Sequence, residues 1–272
     1  MTARALSIAV VTYRPDRAIF ERSMASVARA VHAAREAGRV SRATAYVIDN
    51  GEDDPSPIAA AAASLANEAG LEVLHGHGNV GYGRANNLVL ARLDSDLHLV
   101  INPDVELEPD SLVAAIDALE RDPGLGAVAP AVRGPDGERQ YLCKRYPTVW
   151  VLFLRGFVPR ALRAPFSRSL DRYEMRDLPQ DVPSPVPLAS GCFMLMRTEL
   201  FRRARGFDPR FFLYFEDYDL SLRLGREAQV AYVPAARIVH HGGEASRKGL
   251  RHIGMFVRSA WRFFATHGWK IA

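Results

Sequence analysis

Apolar positions in the first half of the chain switch repeatedly between two patterns. Leu6 to Thr12 (LSIAVVT) is a continuous, β-branched, uncharged run, the composition of a central strand covered on both faces. Tyr13-Arg14-Pro15-Asp16 breaks it and opens a helix in which Phe20, Met24, Val27, Val31 and Ala34 recur at spacings of four and three, with Gly38 placed as a left-handed cap. Ala43 to Asp49 predicts a second strand. An alanine-rich helix follows from about Pro57 to Ala69, closed by Gly70, and Leu71 to His75 is a third strand. A helix over about Arg84 to Leu93 leads into Leu97, Leu99, Val100 and Ile101, a short buried strand that Pro103 stops. Pro109 then stands at a first helical position ahead of Leu112, Ile116 and Leu119, and Ala127 to Val132 predicts another strand. Alternating strands and helices with short connections predict a mostly parallel sheet with right-handed crossovers.

The rhythm changes after about Gly134. Gly134-Pro-Asp-Gly137 is turn chemistry, and Arg139 to Tyr146 suits a strand of a hairpin or small mixed sheet. From Trp150 to Arg176 apolar residues interleave with six arginines, and Pro159 and Pro165 interrupt any long helix. Pro179, Pro183, Pro185 and Pro187 predict an extended linker. Leu188 to Arg197 reads as a strand, Thr198 as the cap of a short helix ending near Gly206, and Phe207 to Phe215 as an aromatic loop. Glu216 to Glu227 is helical, Gln229 to Val233 and Arg237 to His240 are two short strands, and a last helix runs from about Lys248 to His267.

Composition narrows the class. At 272 residues and 48% apolar content the chain can build a substantial core. Its 35 basic against 31 acidic residues are too small an excess for a dedicated nucleic-acid binder. Cys143 and Cys192, far apart and without partners at ligand spacing, predict neither a disulfide framework nor a zinc site, which suits a reducing, cytoplasmic setting. No apolar run is long enough to span a bilayer, and the first residues enter a strand without a signal-peptide pattern.

Candidate chemistry lies at strand ends and helix starts. In an open α/β sheet ligands bind outside the carboxyl ends of the strands, so Asp104 in Asn102-Pro103-Asp104 is placed to meet a ligand or its metal; the same residues also suit a simple turn. Asp49-Asn50-Gly51 offers a carboxylate to a base or ribose, or an Asx turn. Asn79 to Asn87 is a glycine-bearing approach to a helix N-terminus, where free N–H groups favour anions. Glu216, Asp217 and Asp219 crowd one helix start, more acid than capping requires. His240-His241 and Glu244 follow a short strand and suit a divalent cation, or a plain surface pair.

Together these motifs resemble the inverting family 2 glycosyltransferases of the GT-A fold, and among them the bacterial rhamnosyltransferase-like members. The resemblance runs from about residue 6 to 246 except between roughly 140 and 185. It rests on Val11-Thr12-Tyr13-Arg14-Pro15, Val47 to Gly51, Asn79 to Asn87, Asn102 to Asp104, Gly191 to Arg197, Phe211 to Arg223 and His240 to Ser246. It implies a Rossmann-like, mostly parallel central sheet with helices on both faces and a small mixed sheet in the C-terminal half. Residues 1–246 would form the transferase domain, with a nucleotide-sugar half to about 133 and an acceptor half from about 134, and residues 247–272 an amphipathic helix.

By the same resemblance Thr12, Tyr13, Arg14, Asp49, Asn79, Gly81, Asn87, Asn102 and Asp104 would contact the nucleotide sugar. Gly191 and Glu216 would lie on the acceptor side. Asp217 would be the general base, with Glu216 as the alternative. Asp104 and His240 would hold Mg²⁺ or Mn²⁺; Asn102 stands where relatives carry an acid. The implied donor is dTDP-L-rhamnose, with UDP-hexoses next, and the acceptor a lipid-linked or oligosaccharide glycan. In the last helix Leu250, Ile253, Val257, Ala260, Trp261 and Phe264 share a face flanked by Arg247, Arg251, Arg258 and Arg262, the pattern of a helix lying on the inner face of the cytoplasmic membrane or packed on the domain. A nucleotide-sugar-binding scaffold without catalysis, and a nucleotidyltransferase, are the competing classes; the second would want a glycine-rich basic loop after the first strand, where only Arg14 stands.

Overall fold

A computed structural model describes residues 2–51, 54–242 and 250–272, with the side chains of Arg160, Leu250 and Arg251 outside the description. The ten strands are β1 (Arg4–Thr12), β2 (Val40–Asp49), β3 (Gly70–Leu74), β4 (Leu97–Ile101), β5 (Val105–Leu107), β6 (Leu125–Arg133), β7 (Arg139–Gln140), β8 (Ser184–Pro185), β9 (Phe193–Arg197) and β10 (Gln229–His240). The helices are α1 (Arg17–Glu36), α2 (Ser56–Ala61), α3 (Ala63–Ala66), α4 (Tyr82–Asn87), α5 (Ser111–Arg121), α6 (Val149–Phe157), α7 (Ser167–Tyr173), α8 (Thr198–Arg203), α9 (Glu216–Leu224) and α10 (Leu250–His267).

All ten strands belong to one sheet, ordered β3-β2-β1-β4-β9-β6-β10-β5, with β7 on β6 and β8 on β10. β3, β2, β1 and β4 are parallel, as the first-half pattern predicts. The mixed part extends the same sheet: β9 lies antiparallel between β4 and β6, β10 runs parallel to β6, and β5 pairs antiparallel with β10. Because β9 runs backwards, its amino end lies at the edge where β1, β2, β4 and β10 end. One edge therefore collects Thr12, Asp49, Asn102, Cys192 and His240.

Alternation along β1 shows why the run is uniformly apolar. Leu6, Ile8 and Val10 join the core beneath α1 and α5, with Phe20, Met24, Val27, Leu112 and Ile116. Ala9 and Val11 join the opposite core, with Ala85 of α4, Phe201 of α8 and Leu220 of α9. A third cluster of Val151, Leu152, Tyr173, Phe211, Phe215, Phe263 and Phe264 ties α6, α7 and α10 to the segment before α9.

Several elements differ from the sequence expectation for identifiable reasons. The alanine-rich helix predicted from Pro57 to Ala69 breaks at Ala62 into α2 and α3. Arg139 to Tyr146 pairs as a strand only at Arg139–Gln140, then makes one isolated bridge, Lys144 to Leu188, outside the named strands. The strand predicted from Leu188 begins at Phe193, because residues 188–192 turn aside to meet α9 through hydrogen bonds with Ser221 and Asp217. Val105–Leu107 is an unpredicted strand whose apolar residues face inward while Glu106 reaches Arg22 and His241. The two short strands predicted from Gln229 to His240 form a single strand with a register shift between Val233 and Arg237. Thr198 opens α8 from inside, its hydroxyl bonded to Ser95 rather than capping. In α10, Ser259, Phe263 and Phe264 are buried while Ile253, Val257 and Trp261 are exposed, so the face predicted from spacing is split. No described helix is long and apolar enough to cross a membrane.

Candidate active site

Two acids at the start of α9 sit at the centre of the strand-end edge. Tyr214 and Phe215 precede them with φ of 70° and 65°, left-handed values that bulky residues rarely adopt. Strain of this kind, roughly 1–3 kcal/mol each, persists only where packing imposes it; Phe215 is held among Phe256, Phe263 and Tyr218. The kink turns the first helical turn inward. Glu216 is 5% exposed and its Oε2 has no hydrogen-bond partner. Asp217 Oδ2 accepts from the Gly191 N–H at 3.0 Å, and its Oδ1 from the Tyr218 N–H at 2.8 Å.

A helix N-terminus favours negative charge, but burial outweighs it here. Burial, followed by repulsion from Asp217, pushes the Glu216 carboxyl up to about 8. Burial pushes Asp217 up to about 6, opposed by its backbone hydrogen bonds. The pair therefore holds one proton at neutrality. The two N–H groups that Asp217 accepts from favour charge on it over Glu216, whose Oε2 has no partner, and that separates the two candidates for base.

A carboxyl whose folded pKa exceeds its unfolded value stabilises the fold fully below the unfolded pKa, and that contribution is lost as pH rises through the folded one. For Glu216 the window runs from about 4.5 to about 8. Glu216→Gln is accordingly expected to be more stable than the parent by roughly 2–3 kcal/mol at pH 7, with no advantage at pH 4. Urea unfolding at the two pH values measures it; a pH-independent difference would show that Glu216 is not held protonated.

Gly191 is clamped from both sides. Its carbonyl accepts from Tyr82 Oη at 2.7 Å while its N–H serves Asp217. Any Cβ there would press on Tyr82 and on Asp217. Tyr82 begins α4, and the N–H of Tyr82 donates to the Phe212 carbonyl at 3.0 Å. Gly81, at φ 87°, lies so close to Phe212 that no side chain would fit. Asn79 Oδ1 accepts from the Gly81 N–H and shapes that turn. The Asn79–Asn87 motif thus docks against the loop that delivers Glu216. Both ends of the Asn87 amide bind the Phe207 backbone.

Cys192 connects this half to the Asn102-Pro103-Asp104 turn. Its carbonyl accepts from the Asn102 N–H at 2.9 Å. Burial pushes its thiol up to about 12, with Asp104 and Asp217 both close enough to add to the rise. Asp104 Oδ1 is buried without a hydrogen-bond partner, and it lies 3.6 Å from His240 Nε2. Gln140 grips His240 at two points: its Nε2 donates to the His240 carbonyl at 3.0 Å, which turns its Oε1 toward Nδ1 at 2.9 Å. That amide orientation places a proton on Nδ1 and turns Nε2 toward Asp104. An imidazole nitrogen and a carboxylate oxygen so placed either pair directly, with the ring protonated, or share a cation. Gly242 packs against both groups, where a side chain would intrude.

The pair therefore fits a divalent ion that draws its remaining ligands from a bound diphosphate and water. Among the described residues no cluster of three His, Cys, Asp or Glu side chains stands ready for a metal alone. His241 takes no part, since its Nε2 lies 2.8 Å from Glu106. The end of the His240–Ser246 motif falls outside the described residues.

Thr12 and Asp49 pair in register at the ends of β1 and β2. Thr12 Oγ1 is buried and partnerless. Asp49 Oδ1 accepts from the Gly51 N–H at 2.8 Å, so the Asx turn is real and holds the carboxylate at the strand end. Tyr13 is exposed beside this edge with the Arg14 guanidinium over its ring. His77 and Asn50, 3.0 Å apart, complete the wall. Tyr82 lay hidden inside the Asn79–Asn87 motif. Gln140 had no sequence signal: it falls in the strand expected over Arg139 to Tyr146, where the family resemblance breaks off.

The protein-family model described as "Glycosyl transferase family 2" matches residues 7–205. An N-acetylglucosaminyl-diphospho-decaprenol L-rhamnosyltransferase of Mycobacterium tuberculosis is 31% identical over 281 residues, covering 97% of this chain and 86% of the relative. The rhamnosyltransferase WbbL of Escherichia coli is 27% identical over 207 residues, covering 72% and 74%. Among solved structures, a mannosyltransferase of Pyrobaculum calidifontis in complex with GDP-Man and Mn²⁺ superposes with a TM-score of 0.62 at 17% identity, over 96% of this chain and 65% of that one. At that identity the superposition speaks for the fold.

Proposed function

Since the chain belongs to glycosyl transferase family 2, and is thus a glycosyltransferase, we propose that it moves L-rhamnose from dTDP-L-rhamnose to a lipid-linked glycan by a single, inverting displacement. The observation that carries the mechanism is the buried acid pair itself, with Asp217 held by two backbone N–H groups beside a Glu216 carboxyl whose Oε2 has no partner. Asp217, held in orientation by the Gly191 and Tyr218 N–H groups, takes the proton of the acceptor hydroxyl as that oxygen attacks the anomeric carbon. Protonated Glu216 keeps a second negative charge out of the site and offers an O–H donor to the acceptor. Thr12, Asp49 and the exposed Tyr13–Arg14 pair receive the nucleotide at the ends of β1 and β2. The sugar and its diphosphate then lie along Asn102, Asp104 and the Gly191–Cys192 turn.

Asp104 and His240 would hold Mg²⁺ or Mn²⁺, which when bound acts as a Lewis acid on the leaving diphosphate. The residues' own contribution is to orient: Gln140 fixes the His240 ring, and Gly242 keeps the space between imidazole and carboxylate open. Outer partners of this kind typically contribute about 10–100-fold in metal affinity. Gln140→Ala is therefore expected to weaken Mn²⁺ binding, read by electron paramagnetic resonance with a nucleoside diphosphate present, by about that factor. An unchanged affinity would remove Gln140 from the site. The rhamnosyl names of two relatives support the donor, and the decaprenyl name of one supports the acceptor class. A calorimetric screen of nucleotide sugars with and without Mn²⁺ tests the reading: dTDP-L-rhamnose should bind most tightly, and more tightly with the ion than without it. Stronger binding of another nucleotide sugar would overturn the donor assignment. The scaffold reading is excluded by any transfer in vitro.

A further inference from the structure

α6 is apolar apart from Arg155 and only half covered. Val151 and Leu152 are buried in the third cluster, and Leu154 is buried too. On the opposite side Trp150, Phe153 and Phe157, at spacings of three and four, are 39%, 47% and 55% exposed and stack on one another in sequence. A stacked aromatic stripe is not the scattered apolar exposure of an ordinary surface. Leu162 extends it at 63% exposure. The chain's end runs beside the stripe: the N–H groups of Val149 and Trp150 donate to the carbonyls of Lys270 and Ile271.

Charge selects the occupant. From Thr148 to Leu170 the chain carries four arginines, 155, 160, 163 and 168, and no acid. From Arg251 to Ala272 it again carries basic residues and no acid. Exposed aromatic rings, with exposed Arg168, Arg258 and Lys270 in these acid-free segments, match the boundary between acyl chains and anionic headgroups. The inner side of the same region leads to the catalytic pair. The Arg155 guanidinium lies 5.4 Å over the Tyr173 ring, Tyr173 and Tyr218 join their hydroxyls at 3.0 Å, and Tyr218 adjoins Asp217.

We propose that the exposed face of α6, continued by Leu162 and the C-terminal residues, docks on an anionic lipid surface and brings the acceptor side of the site to it. This rests on the reading that the acceptor is lipid-linked, and it moves the principal membrane contact from α10, whose Phe263 and Phe264 are committed to the core, to α6.

Cosedimentation of the full chain with phosphatidylglycerol-containing vesicles, and with pure phosphatidylcholine vesicles, tests it. The parent should bind the first, less so as salt rises, and not the second. Phe153→Glu with Phe157→Glu should weaken binding by about tenfold or more, with near-ultraviolet circular dichroism unchanged. Leu162→Glu, outside the helix, serves if the pair perturbs folding, and should lower binding in the same direction. Trp261→Glu on α10 should cost less than the α6 pair. Equal binding by the parent and the α6 variants, no binding by the parent, a larger loss from Trp261→Glu, or a lipid-free dimer that the α6 variants dissociate would each overturn the proposal. Transfer to a short soluble acceptor, measured on the same proteins, separates the two claims: if it proceeds normally without vesicle binding, the docking surface fails and the reaction stands. If no donor is turned over while the vesicle results hold, the reaction reading fails alone.

Discussion

Asp217→Asn is expected to lower the turnover of sugar transfer by about 10²–10⁴-fold, the usual contribution of a positioned general base, while leaving donor binding nearly unchanged. The amide keeps the shape of the side chain and one acceptor for the Gly191 or Tyr218 N–H, so the turn at Gly191 should survive. Two readouts are needed, steady-state transfer and calorimetric binding of the nucleotide diphosphate. The pH profile adds a signature that misfolding would not produce. In the parent, kcat/KM should rise through an acid limb near pH 6 as Asp217 ionises, and decline above about pH 8 as Glu216 loses its proton. Glu216→Gln should remove the upper decline and retain much of the activity. If Glu216→Gln were the dead variant and Asp217→Asn the active one, the two roles would have to be exchanged.

The second large effect belongs to Asp104. Asp104→Ala is expected to weaken Mn²⁺-dependent donor binding by more than the roughly 10–100-fold typical of an outer-shell partner, with little change in metal-free binding. His240→Ala should act in the same direction. Because both side chains would act on one ion, the double variant should be scarcely worse than either single one. Additive losses, or full activity in the presence of a chelator, would contradict a shared ion between Asp104 and His240.

Much of this site was legible in the sequence because proline and glycine mark the places where strands stop. Pro103 stops β4 after Ile101, Gly51 turns the chain after Asp49, and Gly81 admits a contact with Phe212 that no side chain allows. The parallel half of the sheet followed from uniform apolar runs, since β1 is buried on both faces. Signals failed where tertiary contacts overrode local pattern. Leu188 to Cys192 has strand composition, yet it leaves the ladder because Gly191 and Ala189 are recruited by Asp217 and Ser221. Gln140 is an ordinary polar residue until β7 places it against His240.

The helix α10 shows a different failure. Its apolar residues cover more than half the circumference, so spacing alone could not choose between the arc of Phe263 and Phe264, which packs, and that of Ile253, Val257 and Trp261, which does not. His267, at its end, reaches Asp219 of α9 at 2.8 Å, beside the Arg223 contact, an anchor between α10 and α9 that only the fold brings together.

One measurement bears most directly on the central claim that Asp217 activates an acceptor for a single displacement. The purified chain, supplied with dTDP-L-rhamnose, Mn²⁺ and a lipid-diphosphate-linked glycan, should yield a product whose anomeric configuration, read by nuclear magnetic resonance, is opposite to that of the donor. A product of retained configuration would contradict it.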